Sequence, residues 1–394
     1  KTLFNPFKYF SAILYKPNSN GGIYYLSVLV ENMKAIIFFD NENHWEVCWF
    51  PEIPLYNSIA TAYSDDLNCF IAVGEFGRIA KVTYSGGVPS VQNFSNDGFN
   101  DLMDVIWCDS LQIFIAVGLK GTVAIYDGIS DWIFHQTNIP IDIRSIAWSN
   151  TLNRFVAVGY NMSDFGYCII YSSDGINWTR IQEGLPDYHF VSIAWSDSLG
   201  IFLVMGKDEY GNVIAGTSSG INSWQFTVIS NMWGLKNVKW SNDLNKFLIA
   251  AGDKIYETTD GVNFSVFYYD PNVNLYNSDI ATGGTDVLVV ARDGVKIFSD
   301  DEGVNWTNIS TEFIESPITS MAMSDDCTKM VAVGKGPRSA GNSNILINSG
   351  GPHEWIIPEN VPQEYIDTNL ISVAWAENLK TFVAVGESGA ILWC

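Results

Sequence analysis

Short apolar runs separated by polar turns recur along the whole chain, and one phrase repeats. A small apolar strand ends in an aromatic, a polar turn follows, and a second run reads Phe-x-Ala-Val-Gly. Ser145-Ile-Ala-Trp-Ser149 leads through Asn150-Thr-Leu-Asn153 into Phe155-Val-Ala-Val-Gly159. The pair returns as Ser192–Ser196 with Phe202–Gly206, and as Ser372–Ala376 with Phe382–Gly386. Weaker copies span Ser58–Gly74, Met103–Gly118, Val238–Gly252 and Ser320–Gly334, with a degenerate one over Ile280–Ala291. The repeat comes roughly every 40–50 residues, and nothing inside it has helical spacing, so four-stranded propeller blades are expected.

Each unit reads as four strands, A to D. Strand A is the Ile-Ala-Trp run and strand B the Phe-Val-Ala-Val run. Strand C resembles Cys168-Ile-Ile-Tyr171, and strand D begins at an aromatic, as in Trp178-Thr-Arg-Ile181. The A–B turns are rich in Asp, Asn and Ser, which is turn chemistry. Units begin near residues 12, 58, 102, 145, 192, 237, 279, 318 and 372. The last has only three strands, and Pro6–Tyr15 aligns without a gap on Pro186–Trp195, so residues 1–10 are expected to complete it. The reading is therefore all-β: a single closed β-propeller over residues 1–394, with about nine four-stranded blades. An N-terminal strand joining the C-terminal blade would close the ring. Eight blades is the alternative if the unit near 280 merges with a neighbour. No second domain and essentially no helix are expected.

Composition narrows the partners. Of 394 residues, 47% are hydrophobic and 14% aromatic, enough for an ordered core, while only 16% are charged. The net charge is −22, and no Lys/Arg run occurs, so nucleic acid and anionic membranes are disfavoured as partners. The apolar runs are far too short to span a bilayer. The six cysteines lie far apart, without ligand spacing, so no zinc site, metal or cofactor is expected. Buried thiols are the first expectation for them, with disulfides between neighbouring blades the second. The start at Lys1 is compatible with a removed leader.

Between strands C and D the motif becomes more specific. Ser299-Asp-Asp301-Glu-Gly303-Val-Asn-Trp306 fits Ser-x-Asp-x-Gly-x-x-Trp, and Ser172-Ser-Asp174-Gly175-Ile-Asn-Trp178 and Thr258-Thr-Asp260-Gly261-Val-Asn-Phe264 are shorter relatives. Eroded copies are Tyr126-Asp127-Gly128 with Trp132, Ser218-Ser219-Gly220 with Trp224, and Asn348-Ser-Gly350 with Trp355. These turns resemble the Asp boxes of sialidase-like (BNR) repeat propellers, and the repeat wording is most similar to repeat proteins of phage tails and virions. The resemblance implies structural Asp boxes on the face opposite the usual ligand face, and an extracellular or virion-surface location. In each box the Asp would cap backbone N–H groups, the glycine would take positive φ and the aromatic would fill the seam between blades. Asn-x-Ser/Thr triplets at Asn177, Asn263 and Asn305 fall inside these boxes and are products of the repeat.

Catalytic constellations are sparse. The arginine triad and the Phe/Tyr-Arg-Ile-Pro motif that sialidases carry are missing, and a single ring lacks the two-propeller cleft of glucan-cleaving relatives. The four histidines occupy different units without ligand or triad spacing. Carboxylates expected on blade tops include Asp104, Asp142, Asp187 and Glu364. The B–C connections vary, as in Glu75–Gly77, Tyr160–Gly166, Lys207–Asn212 and Lys335–Asn344, and the D–A connections carry aromatics. Tyr56, Phe99, Tyr188, His189, Trp233, Tyr276 and Tyr365 are the candidate ligand-binding residues on that face. The expected function is non-enzymatic recognition of a glycan or protein through the variable-loop face. A glycoside hydrolase or lyase at the same face is the alternative, and a purely structural assembly subunit the second.

Overall fold

The structure is a computed structural model. It describes residues 16–17, 23–24, 46–47, 58–85, 88–94, 100–161, 166–181, 188–230, 238–251, 253–273, 275, 279–290, 296–309, 318–324, 329–334, 345–348, 355–356, 369–376, 381–386 and 391–393. These residues form eight four-stranded antiparallel sheets, here blades 1 to 8, and one two-stranded ladder, Lys16–Pro17 with Ile23–Tyr24. The four strands of blade 3 are Ile141–Ser149, Arg154–Asn161, Gly166–Ser172 and Thr179–Arg180. Strand A opens blades 1, 2 and 4 at Ser58, Leu102 and His189, and blades 5, 6, 7 and 8 at Val238, Asp279, Ile318 and Leu370. Among the described residues the only helical pieces are two 3₁₀ turns, Glu75–Gly77 and Leu119–Gly121.

Two expectations are corrected. Nine units were expected, but the segment starting near residue 12 contributes no four-stranded sheet among the described residues. The unit near 280 has not merged; it is a complete blade, Asp279–Gly283, Asp286–Val290, Lys296–Ser299 and Thr307–Asn308. The strand added to the C-terminal blade is Glu46–Val47, paired with Leu392 and Trp393. Residues 1–10, expected in that role, lie outside the described residues. Gapless similarity to a D–A segment could not decide which of two nearby stretches pairs there, because short edge strands carry little register information.

The core is not central. It consists of eight apolar clusters, each drawn from two adjacent blades, and the series returns from blade 8 to blade 1 through Val383, Val385, Phe70 and Ala72. This explains why strand B reads as an unbroken apolar run, since a sheet covered on both faces loses the alternation of a half-buried strand. In Phe155-Val-Ala-Val158, Phe155 and Ala157 face blade 2, while Val156 and Val158 face blade 4. Phe114-Ile-Ala-Val117 and Phe382-Val-Ala-Val385 divide in the same way. The aromatic ending strand A lies across the turn on the strand-B Phe, with centroids 4.3 Å apart for Trp148 and Phe155 and 4.5 Å for Trp195 and Phe202.

Strand A pairs with strand B alone, so its other edge carries N–H groups that need acceptors. The residue three before the terminal aromatic supplies them across the blade boundary. Ser145 Oγ accepts from Ile193 N–H at 3.4 Å, Ser192 Oγ from Val238 N–H at 3.2 Å and Ser320 Oγ from Val373 N–H at 3.4 Å. Asp104 accepts from Ile146 N–H at 3.1 Å and Asp279 from Met321 N–H at 3.2 Å. Ser372 Oγ meets Thr61 Oγ1 at 3.0 Å where blade 8 joins blade 1. Blade 1 has Ala60 at this position, which accepts nothing. Asp104 compensates, because its second oxygen accepts the Val105 N–H of its own blade at 2.9 Å.

In blades 1–4, 7 and 8 a β-bulge immediately precedes this residue. It brings the start of strand A against the glycine that ends strand B. A Cβ at Gly118, Gly159 or Gly386 would sit 1.9, 2.1 or 2.1 Å from the carbonyl oxygen of Asp101, Asp142 or Asn369. The glycine is there because two backbones touch; its φ is extended, −167° at Gly118.

Two outcomes follow for thermal unfolding. Ser192→Ala strands one buried N–H and should cost about 1–2 kcal/mol, whereas Asp104→Ala strands two and should cost roughly twice that. Gly159→Ala should lower the melting temperature strongly, while Gly220→Ala, with open space around its Cα, should leave it within about a degree or two.

Candidate functional site

Antiparallel strands place the A–B and C–D turns at one end of each blade and the B–C and D–A connections at the other. On the first face, the C–D turns are built alike. In blade 3, Ser172 Oγ accepts the Asp174 and Gly175 N–H groups and donates to Asp174. Asp174 Oδ1 accepts the Ile176 and Asn177 N–H groups, both at 2.8 Å, and Oδ2 holds the Asn177 amide at 2.7 Å. Thr258 and Asp260 repeat the network, and Ser299 and Asp301 repeat it except that the Val304 N–H bonds the Asp301 backbone carbonyl. Gly175, Gly261 and Gly303 have φ of 75°, 73° and 86°, and each also faces the preceding blade, where a side chain would strike Ile115, Thr217 or Phe267. Trp178, Phe264 and Trp306 pack into the seam with that preceding blade. Trp178 and Trp306 donate their ring N–H to the carbonyls of Gly175 and Gly303.

The amides of Asn177, Asn263 and Asn305 are spent on Asp174, Asp260 and Asp301. His135 reaches across the blade 2–3 seam to the Gly175 carbonyl at 3.1 Å, so Nε2 carries the proton, and burial lowers its pKa. Burial would raise the Asp174 carboxyl, but the Asn177, Ile176 and Ser172 donors outweigh it and hold it low. The Asn263 N–H, its amide and the Val262 N–H hold Asp260 down to about 2. Asn305 leads the donors that lower Asp301.

On the opposite face, Tyr56, Phe99, Trp233, Tyr276 and Tyr365 lie outside the described residues, as do Asp187 and Glu364. Tyr188 is partly buried, edge-on to Phe226 at 5.7 Å and to Phe190 at 6.4 Å, so its ring belongs largely to the blade 3–4 seam. His189 opens strand A of blade 4 and is exposed. Of the four carboxylates expected on this face, the two that are described act on the backbone. Asp142 accepts the Lys120 N–H at 2.8 Å. Asp104, pushed up to about 6 by burial, has both oxygens committed to Val105 and Ile146.

Three aromatics outside the predicted set are exposed on this face, Phe76, Tyr210 and Tyr269, the last with Lys254 Nζ 4.7 Å from its ring centre. Phe76, 54% exposed, crowns the tight B–C turn of blade 1 with φ of 57°, a conformation uncommon for a bulky residue. Its N–H is fixed by the Asp101 carboxylate of blade 2 at 2.9 Å. Lys120 occupies the same place in blade 2, with φ of 53°. Tyr210, 77% exposed, tops the blade 4 loop, where Asp208 accepts the Tyr210 and Asn212 N–H groups. A signal existed: an aromatic immediately before glycine in a three-residue connection, and an Asp-x-Tyr-Gly turn. Among the described residues no three His, Cys, Asp or Glu side chains gather as a metal site, and Cys69, Cys108 and Cys168 are buried thiols. Cys48, Cys327 and Cys394 lie outside them.

The sequence matches no protein-family model and no curated protein. Solved structures do match. The C-terminal WD40 domain of Sif2 superposes with a TM-score of 0.61 at 9% identity, covering 89% of this chain and 98% of that one. The chain is a β-propeller. YCF48 bound to D1 peptide gives 0.53 at 14% identity, with 90% and 97% covered. The WD40 β-propeller domain of Doa1 gives 0.52 at 13% identity, with 89% and 96% covered. At such identities the likeness carries the fold alone.

The Asp260 pKa predicts a pH signature. A carboxyl depressed from 3.8 to about 2 stabilises the fold above pH 4, and that stabilisation disappears as pH falls through 2. Asp260→Asn should therefore melt lower than wild type at pH 7, with the gap closing between about pH 4 and pH 2 in scanning calorimetry.

Proposed function

We propose that this propeller is a non-catalytic protein-interaction module that recognises a segment of a partner protein on its B–C/D–A face. The observation that carries the reading is Phe76, a large apolar ring displayed to solvent from a backbone conformation that disfavours it, and locked by a carboxylate of the next blade. Rigid exposed aromatics are what interface anchors are made of, since they bury area at little entropic cost. Tyr210 is the second such anchor, and Lys120 and the exposed bulge residue Arg144 add positive charge. One fold neighbour, YCF48, is seen bound to a peptide, which agrees with this use of a propeller.

The glycan reading draws less support, because Tyr188 spends its ring on Phe190 and Phe226. Glycoside hydrolysis needs free carboxyls, and Asp104 and Asp142 serve backbone N–H groups. Kinship with Asp-box repeat propellers is part of the proposal, supported by the C–D turn networks. A place outside the cell or on a virion rests on the resemblance of the repeat wording.

The test is a peptide-display selection on immobilised protein, with a glycan array run beside it. Phe76→Gly suits the positive φ and should leave the melting temperature unchanged or higher. With Tyr210→Ser it should weaken the selected peptides by about tenfold or more. Equal binding by both variants, or glycan binding without peptide binding, overturns the proposal.

A further inference from the structure

The A–B/C–D face carries a second pattern. In four blades the residue after the C–D glycine points an apolar side chain outward: Ile129, 92% exposed, Ile176, Val262 and Val304, 76% exposed, whereas Ile221 of blade 4 packs into its seam. The turn does not need these side chains, since the capping network uses only the backbone N–H there. Because Asp127, Asp174 and Asp260 pin that backbone, the apolar tips stand at fixed places, one per blade, around blades 2, 3, 5 and 6. Between them the charged side chains of the described A–B and C–D turns are carboxylates, from Asp65 and Asp66 through Asp109, Asp197 and Asp243 to Glu302, with Lys329 of blade 7 as the exception. The opposite face is mixed, with Lys120, Arg144 and Lys207 among its acids.

We infer that this face is a docking surface for a basic protein segment whose apolar side chains meet the Ile129, Ile176, Val262 and Val304 tips. Charge complementarity selects the occupant. A second copy would bring carboxylates against carboxylates, and phosphate-bearing polymers or anionic bilayers would be repelled. The low pKa values of Asp174 and Asp301 keep the field in place under acidic conditions. The surface is separate from the Phe76 face, so both can be occupied at once.

The probe is a short peptide alternating lysine and leucine, compared with lysine-only and alternating glutamate–leucine peptides by calorimetric titration and hydrogen exchange. One variant carries Ile129→Ser, Ile176→Ser, Val262→Ser and Val304→Ser. Another carries Asp109→Asn, Asp131→Asn, Asp300→Asn and Glu302→Gln, acids whose side chains hold no turn together. Each should weaken the lysine–leucine peptide by about tenfold with an unchanged melting temperature, and exchange protection should fall on residues 127–132, 173–178, 259–264 and 300–306. Phe76→Gly should leave this binding intact, which separates it from the B–C/D–A reading. Unchanged affinity in either variant, equal affinity for the lysine-only peptide, or protection on the other face overturns the inference.

Discussion

Every blade of this protein is covered on both faces by its neighbours, and no blade can bury its apolar surface alone. The eight seam clusters make stability a property of the ring. The requirement dictates residue size as well as polarity. Phe with Ala on one face of strand B meets the preceding blade, and branched side chains on the other face meet the next. Loss of one seam opens two blades to water, so the boundary between blades 8 and 1, through Phe70 and Val383, matters as much as any internal one.

The same constraint explains the polar residues inside. Packing the A strands side by side leaves their free edges without a ladder partner, and a short hydroxyl or carboxylate answers the N–H there, from the neighbouring blade for Ile146, Ile193, Val238, Met321 and Val373 and from the same blade for Val105 and Ile280. The bulge that aims this residue also drives strand A against the end of strand B, which only glycine tolerates. Bulge, hydroxyl and glycine are thus one device. Asp104 shows its logic: where blade 1 offers only Ala60, a residue with two acceptor oxygens takes over both donors.

A frame tied together in this way leaves the connections free to differ. The A–B and C–D turns are consumed by capping and seam packing, which keeps them uniform, yet their outward tips and charges stay available. The B–C turns need only a short return, so Phe76, Lys120 and Tyr210 can be presented without disturbing a seam. Both faces are therefore display surfaces on one rigid ring, and they differ in charge and in the kind of apolar group they show.

By itself the sequence determined the four-stranded unit and marked out the Ser172, Asp174, Gly175 and Trp178 turn, because these depend on contacts a few residues apart. The unbroken apolar run of strand B is written in the sequence, but its burial on both faces came with the structure. Tertiary structure alone decided how many units form sheets and that Glu46–Val47 pairs with the C-terminal strand. It alone revealed the hydrogen bonds from Asp104, Ser145, Ser192 and Ser320 to the next blade. Those depend on partners more than forty residues away. The candidate site divided along the same line. Tyr188 looked exposed in a polar connection until Phe190 and Phe226 claimed its ring, whereas Phe76 was one residue of a variable connection until its backbone proved left-handed. Local hydrogen bonds are written in local sequence; what a ring faces once the blades close is set by neighbours that no local pattern encodes.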